Sequence, residues 1–376
     1  MTALRWSSPR TGSEVWQADA REVAARLPAG CASLAILDGP YGMGKAAWDR
    51  VPRGGSLADL YRGHLDDVGR VCAASASLYL WNTAEGWGEL HPLVMAAGWT
   101  FRSLIVWDKG DGFMAGKCDV NGLRCWYDVT EVCGFYQREA WAPNTSAGAE
   151  IGYAAGRDDR NWVRPWLAAE WARAGLRMKD ADRALATNGM AGHYFQPSQW
   201  ALPTWEAYQR LAAFAAENGA PPGDGVPYLV LDRFAGDLRA TYDHLRAEYE
   251  ASRPPFTAPL GVGNVWRTGS VSGPERLRRP DGETLHPCQK PLLFAERMLR
   301  ASSRPGDTVW VPFGGTLREV VAAERMARAD AGEARRVVAC ELNADGVDYI
   351  GPAVAQAEGL PVAVDPRQVG LFGGAR

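Results

Sequence analysis

Residues 34–44 read Leu-Ala-Ile-Leu-Asp-Gly-Pro-Tyr-Gly-Met-Gly, an apolar run that stops at an acid, a Gly-Pro pair and an aromatic ring. The Asp38 carboxylate is a strong acceptor. Gly39 precedes a proline, which biases it toward extended geometry, and Pro40 has a fixed φ and no N–H to donate. The Gly39 carbonyl is therefore a second acceptor. Two acceptors aimed at one exocyclic amino group fix its orientation and raise the electron density on its nitrogen. Tyr41 adds a flat face for stacking. Asp38, Gly39, Pro40 and Tyr41 thus suit a planar, amine-bearing ring, with a nucleobase the obvious candidate; taken alone, they also describe a turn, because Gly and Pro are common turn formers.

Three other segments bear on that choice. Upstream lie Trp16-Gln17-Ala18-Asp19-Ala20 and then Leu27-Pro28; far downstream come His286-Pro287-Cys288-Gln289-Lys290-Pro291 and residues 306–316, which end Val311-Pro312-Phe313-Gly314-Gly315-Thr316. In this order they resemble the motifs of the beta-class DNA amino-methyltransferases, enzymes that methylate the exocyclic nitrogens of adenine or cytosine. Asp38-Gly39-Pro40-Tyr41 is similar to that family's Asp-Pro-Pro-Tyr, and 286–291 to its His-Pro-Thr-Gln-Lys-Pro. The resemblance implies S-adenosylmethionine as methyl donor and double-stranded DNA as substrate, with the target base flipped out of the helix. It also implies DNA methylation in a restriction-modification setting and leaves room for a cognate restriction enzyme and a homodimer as partners.

Carried over position by position, Asp19, Ala20, Asp38, Gln289, Lys290, Pro312, Phe313, Gly314, Gly315, Thr316, Glu341, Leu342 and Asn343 are the cofactor-binding candidates. Their types suit the role: Gly314 and Gly315 permit close backbone approach, a helix opening near Leu317 offers N–H groups to a carboxylate, and Glu341 can accept from ribose hydroxyls. The chain departs from the family at three places: Gly39 stands where proline is usual, Val311 where an acid is expected, and Leu317 where a glycine is expected. In the family an aspartate opening the catalytic motif goes mostly with adenine, so Asp38 implies N6 of adenine. Cytosine N4 is the alternative target, and a DNA-binding protein with a decayed methyltransferase core the alternative role. An enzyme of this fold acting on RNA or protein amides is a further alternative.

The elements that must place these residues alternate. Residues 33–37, 76–81, 101–107 and 129–136 are short runs rich in β-branched and aromatic residues and read as strands; 57–73 and 85–97 read as helices. The alternation resumes with a helix at 291–302, a strand at 308–311, a helix at 317–329 and a strand at 336–340. This predicts a Rossmann-like α/β fold, an open, mostly parallel sheet with helices on both faces. The predicted division is a catalytic half over 1–138, a largely helical target-recognition insertion over 139–285, and a cofactor-binding half over 286–376.

The middle of the chain interleaves arginines with tryptophans, acids being interspersed so that a solvated helical face is an alternative. Residues 166–176, 179–186 and 190–196 read as a helix, a glycine turn and two further short helices, similar to a repressor-type helix-turn-helix over about 160–218. That places 190–196 in or near the major groove. The DNA-contact candidates are Arg160, Arg164, Lys179, Met190, His193, Tyr194, Gln196 and Gln199, with Arg276, Arg278 and Arg279 in a later basic loop.

Composition sets the bounds. A chain of 376 residues exceeds one ordinary core. A net charge of −3 requires any DNA face to come from local clustering of arginine. The seven cysteines and five histidines show no zinc-ligand spacing, so no metal site is expected. An odd cysteine count without a paired motif predicts reduced thiols. Without an apolar run of membrane length or a secretory signal, the expectation is a cytoplasmic, nucleoid-associated protein, bacterial or phage-encoded, with no membrane contact.

Overall fold

A computed structural model of the chain describes residues 2–44, 49–51, 55–110, 124–138, 162–196 and 200–359. In chain order the strands and helices are β1 (Ala3–Ser7), β2 (Glu14–Gln17), α1 (Ala20–Ala24), β3 (Ala32–Leu37), α2 (Leu57–Val71), β4 (Cys72–Asn82), α3 (Ala84–Ala96), β5 (Thr100–Asp108) and β6 (Thr130–Gln137). Then follow α4 (Val163–Arg173), α5 (Met178–Leu185), α6 (Trp205–Asn218), α7 (Leu238–Ser252), β7 (Val265–Arg267) and α8 (Leu292–Ser302). The chain closes with β8 (Thr308–Val311), α9 (Arg318–Ala329), β9 (Arg336–Glu341), α10 (Ala344–Asp348) and α11 (Ile350–Gly359). Two compact units result, one from Met1–Arg138 with Pro254–Arg376, the other from Glu139–Arg253.

The first unit holds one sheet in the order β1-β2-β9-β8-β3-β4-β6-β5-β7. Its centre, β2 through β4, is parallel, whereas β6 runs antiparallel to both β4 and β5. The central strands are apolar without interruption because both faces are covered. Leu34 and Ile36 pack with Val309, Val311, Val337 and residues of α8 and α9. Their neighbours Ala35 and Leu37 point the other way, into a cluster with Trp310, Val338, Tyr61 and Leu65. Each fully buried leucine or isoleucine contributes about 2 kcal/mol to holding the layers together. The helices begin at encoded caps: Ser56 and Asp59 form a capping box on α2, and Asp19 caps α1.

The strand order places the site. From β3 the chain crosses to β4 on one side; from β8 it crosses to β9 on the other. Neighbouring parallel strands that part in this way leave a crevice beyond their carboxyl ends, where ligands of such sheets bind. Asp38 follows β3, and residues 312–316 follow β8.

In the second unit α4 to α7 surround Leu167, Trp171, Phe195, Tyr208 and Leu245. Two expectations change here. The unit ends at Arg253 rather than 285, because β7 pairs with β5 and Trp266, Leu277 and Leu285 join the core of the sheet unit. And in place of a helix over 190–196 the chain makes a single 3-10 turn, Ala191–Tyr194. Gly189, at φ +77°, Gly192 and the proline at 197 leave too short a run for a longer one.

Candidate active site

The crevice is a cavity of about 310 Å³. It is lined from β3 by Asp38, Gly39, Pro40 and Tyr41, from β8 by Pro312 to Thr316, from α9 by Arg318 and Glu319, from β9 by Glu341 to Asn343, and by Ala18, Asp19, Ala20 and Lys290. The motif after β3 and the glycine loop after β8 therefore open onto one space.

At the β3 end every charge is paired. Lys290 Nζ lies 2.8 and 2.9 Å from the two oxygens of Asp38 and 3.1 Å from Glu131 Oε2. Glu131 Oε1 accepts from Lys109 at 2.6 Å. The Tyr41 hydroxyl accepts from Lys290 at 2.9 Å and sits 2.9 Å from Asp38 Oδ1 and 3.1 Å from Glu131 Oε2. Burial opposes the charge on Glu131 and on Lys290, yet Lys290 and Lys109 hold Glu131 down at about 2, and Asp38 and Glu131 raise the Lys290 ammonium above the ordinary lysine range. Burial, then the Asp38 charge, push the Tyr41 phenol well up. The loop after Tyr41 is pinned by Asp49, which accepts from the Tyr41 and Gly42 N–H groups at 2.6 and 3.1 Å. Gly39 is required by packing: a Cβ there would lie 2.6 Å from the Tyr61 hydroxyl and 2.7 Å from the Phe313 ring.

At the β8 end the loop is built differently. Gly315 takes φ +50°, and Leu317, where the resembling family has glycine, takes φ +55°. A left-handed leucine costs about 1 kcal/mol or more, offset by the burial of its side chain. Glu341 accepts the Gly315 and Asn343 N–H groups, each at 2.7 Å, so its carboxylate ties the two loops together. Phe313 meets His64 edge-on at 4.7 Å. An apolar wall with a carboxylate at one end and helix N–H groups at the other fits a nucleoside joined to an amino acid.

A sequence profile described as DNA methylase, of the N6/N4 type, matches residues 32–351. The chain belongs to this family. It is an amino-directed DNA methyltransferase, and DNA is its substrate. The Type II methyltransferase M1.MboII of Moraxella bovis is 20% identical to this methylase over 327 residues, 86% of this chain and 90% of that protein. Among solved structures, the cytosine-N4-specific PvuII DNA methyltransferase is 11% identical, covers 95% of this chain and 89% of its own, and has a TM-score of 0.48. A Thermus thermophilus protein described as a DNA modification methylase, complexed with S-adenosyl-L-methionine, is 14% identical and covers 91% and 94% of the two chains at a TM-score of 0.41.

Most of the methylase's candidates from sequence meet in the cavity, with exceptions that have physical reasons. Lys290, expected beside the cofactor, lines the cavity and bonds the Asp38 carboxylate. Gln289 is buried and structural: it accepts from Leu277 N–H at 2.9 Å and donates to the Glu275 carbonyl at 2.8 Å. Asp19 lines the cavity while accepting from Arg21 N–H. Of the basic loop, Arg276 is spent on the Val271 and His286 carbonyls, Arg278 on the Gly282 carbonyl and Arg279 on Asp345. In the second unit Lys179, Met190 and Gln196 are exposed. His193 is held against the Met190 carbonyl and packs on Tyr194, and Arg164 reaches the Phe195 carbonyl at 3.5 Å. Arg160 and Gln199 lie outside the described residues. Sequence reasoning missed Glu131; its signal was an acid inside the otherwise apolar β6 run Thr-Glu-Val-Cys-Gly-Phe-Tyr-Gln.

Proposed function

We propose that the chain transfers a methyl group from S-adenosylmethionine to N6 of an adenine rotated out of duplex DNA. The observation that carries this reading is that one cavity receives both the Asp38 carboxylate and the glycine loop before α9. A base inside the stack cannot present its amino group to a recessed donor, so the target must leave the helix. When bound, S-adenosylmethionine supplies an electrophilic methyl group on a sulfonium sulfur.

The chain's own residues do the rest. Asp38, paired with Lys290, accepts an N–H of the target amine on a lone pair that Lys290 and Tyr41 leave open. This orients the nitrogen and stabilises the positive charge that develops on it. Asp38 then takes the amine proton and passes it to solvent, while Lys290 and Glu131 keep the carboxylate in place. The Tyr41 ring, its hydroxyl fixed by Asp38, Glu131 and Lys290, offers its face to the base. Pro312, Phe313 and Leu342 shape the nucleoside slot, and Glu341 accepts from the ribose hydroxyls. Asp38 at the head of the catalytic motif, where the resembling cytosine enzymes carry serine, supports adenine. Arg164, Lys179, Met190 and Gln196 of the second unit are proposed DNA contacts, with a target-recognition role for that unit.

Expression in a host that lacks DNA methylation, followed by sequencing that detects modified bases, tests the reading. Methylated adenine at one recurring sequence is the expected outcome; methylated cytosine would overturn the base assignment, and an unmodified genome would overturn the activity.

A further inference from the structure

Five carboxylates line the cavity, and four of them are already committed. Asp38 holds Lys290 with both oxygens, Asp49 accepts from the Tyr41 and Gly42 N–H groups, Glu341 receives one backbone N–H on each oxygen, and Asp19 caps α1. The fifth is Glu319, in the first turn of α9. It is 8% exposed and lines the cavity together with Gly314, Gly315, Thr316 and Asp38, and its carboxyl is met by its own backbone N–H but by no side chain of another described residue within hydrogen-bond or ion-pair distance. A carboxyl removed from water with so little compensation is costly. Burial raises it to about 7, its own backbone N–H, Arg318 and Lys290 opposing and Asp38 adding. The groups facing it across the cavity also include His64 from α2 and His286 ahead of α8.

A group of this kind is completed by a cation. The methyl donor of the proposed reaction ends in an amino acid, whose carboxylate and ammonium share one carbon. The N–H groups at the start of α9, a helix of 12 residues, suit the carboxylate. The ammonium then lies one carbon away from an anion docked on that first turn, which is where Glu319 stands. We infer that Glu319 receives the α-ammonium group of the methyl donor, an inference that rests on the donor assignment made above. Glu319 is thus a specificity residue for the amino-acid end, distinct in role from the Asp38 network that serves the base.

Calorimetric titration of the full chain separates the possibilities. S-adenosylhomocysteine keeps the ammonium and carboxylate; methylthioadenosine lacks both. Glu319→Gln is expected to weaken S-adenosylhomocysteine about 10- to 100-fold and to leave methylthioadenosine within about twofold of its wild-type affinity. Unchanged binding of S-adenosylhomocysteine, or an equal loss for both ligands, would overturn the inference while the donor assignment stands. A wild-type chain that binds neither nucleoside would overturn both.

Discussion

The two ends of the cavity handle buried charge in opposite ways. Beyond β3, Asp38, Glu131, Lys290 and Lys109 form a closed set in which each ion has a partner within 3.1 Å. Beyond β8, Arg318 is 3% exposed with all three guanidinium nitrogens unpaired, and the Glu319 carboxyl beside it is met by its own backbone N–H rather than by a cationic side chain within ion-pair distance among the described residues; burial lowers Arg318 to about 10. A closed set is preorganised before any ligand arrives and costs nothing further to align during reaction. An open set is incomplete alone and gains when a charged ligand completes it. On the proposed assignment, the chemical end of this methylase is fixed in advance, and the donor end is finished by what it binds.

The largest effect is expected from Asp38→Ala. Methylation should fall by about 10³-fold or more, with DNA affinity changed only a few-fold; a variant that retains full turnover in a radiolabelled methyl-transfer assay would remove Asp38 from the mechanism. Next comes Lys290→Met, which leaves two carboxylates facing each other without their cation. Urea denaturation should show a loss of about 3 kcal/mol, and an unchanged midpoint would mean that the closed set is not closed in solution.

The two ends should also answer pH with opposite signs. Glu131 is held at about 2 against an ordinary 4.5, so its contribution is complete above pH 4.5 and is lost as pH falls toward 2. Glu319 is raised from 4.5 to about 7, so the stability linked to it is complete below pH 4.5 and is lost as pH rises through 7. Glu131→Gln should remove the acid slope, and Glu319→Gln should remove the neutral one, each amounting to about 3 kcal/mol. Chemical denaturation from pH 2 to 8 reads both; identical profiles for the two variants would erase the contrast. The smallest effect tests the seam where the ends meet. Gly39→Ala places a methyl group against Tyr61 and Phe313, for an expected cost of about 1–2 kcal/mol in thermal unfolding and a modest fall in turnover. A stabilised variant would show that the seam yields freely.

Much of the sheet was legible because its strands are buried on both faces and bounded by clear punctuation. The expected strand at 308–311 is β8 to the residue, and the helix expected over 85–97 is α3, which Gly98 follows at φ +85°. The meeting of the Asp38 motif with the glycine loop was legible through the order of the motifs. What a given charge bonds was not. The guanidinium groups of Arg276, Arg278 and Arg279 look like a phosphate grip in sequence; in the fold Arg276 and Arg278 also bond carbonyls of the surrounding chain and Arg279 pairs with Asp345 of α10. Lys290 was expected at this cavity, which it lines, but its bonds to Asp38 were not legible, because that reach depends on how the segment before α8 packs. Glu131 was hidden by a strand that reads as ordinary core. Short elements rich in glycine gave the weakest signal, as at Ala191–Tyr194.

The pairing of β3 has a consequence for how the molecule is made. One edge of β3 finds β4 within a few dozen residues, but the other pairs Leu34 with Val309, about 275 positions later. At a synthesis rate of roughly 5–20 residues per second, that edge waits on the order of tens of seconds for its neighbour. The whole second unit emerges in the interval and can collapse on local contacts while the sheet stays half built. A chain interrupted before β8 would carry an open, apolar strand edge, the template on which other chains aggregate. The cavity is thus a late part of this sheet to form: its lining runs from Ala18 to Gly346, so it is complete only once the chain has been made through β9 and into α10.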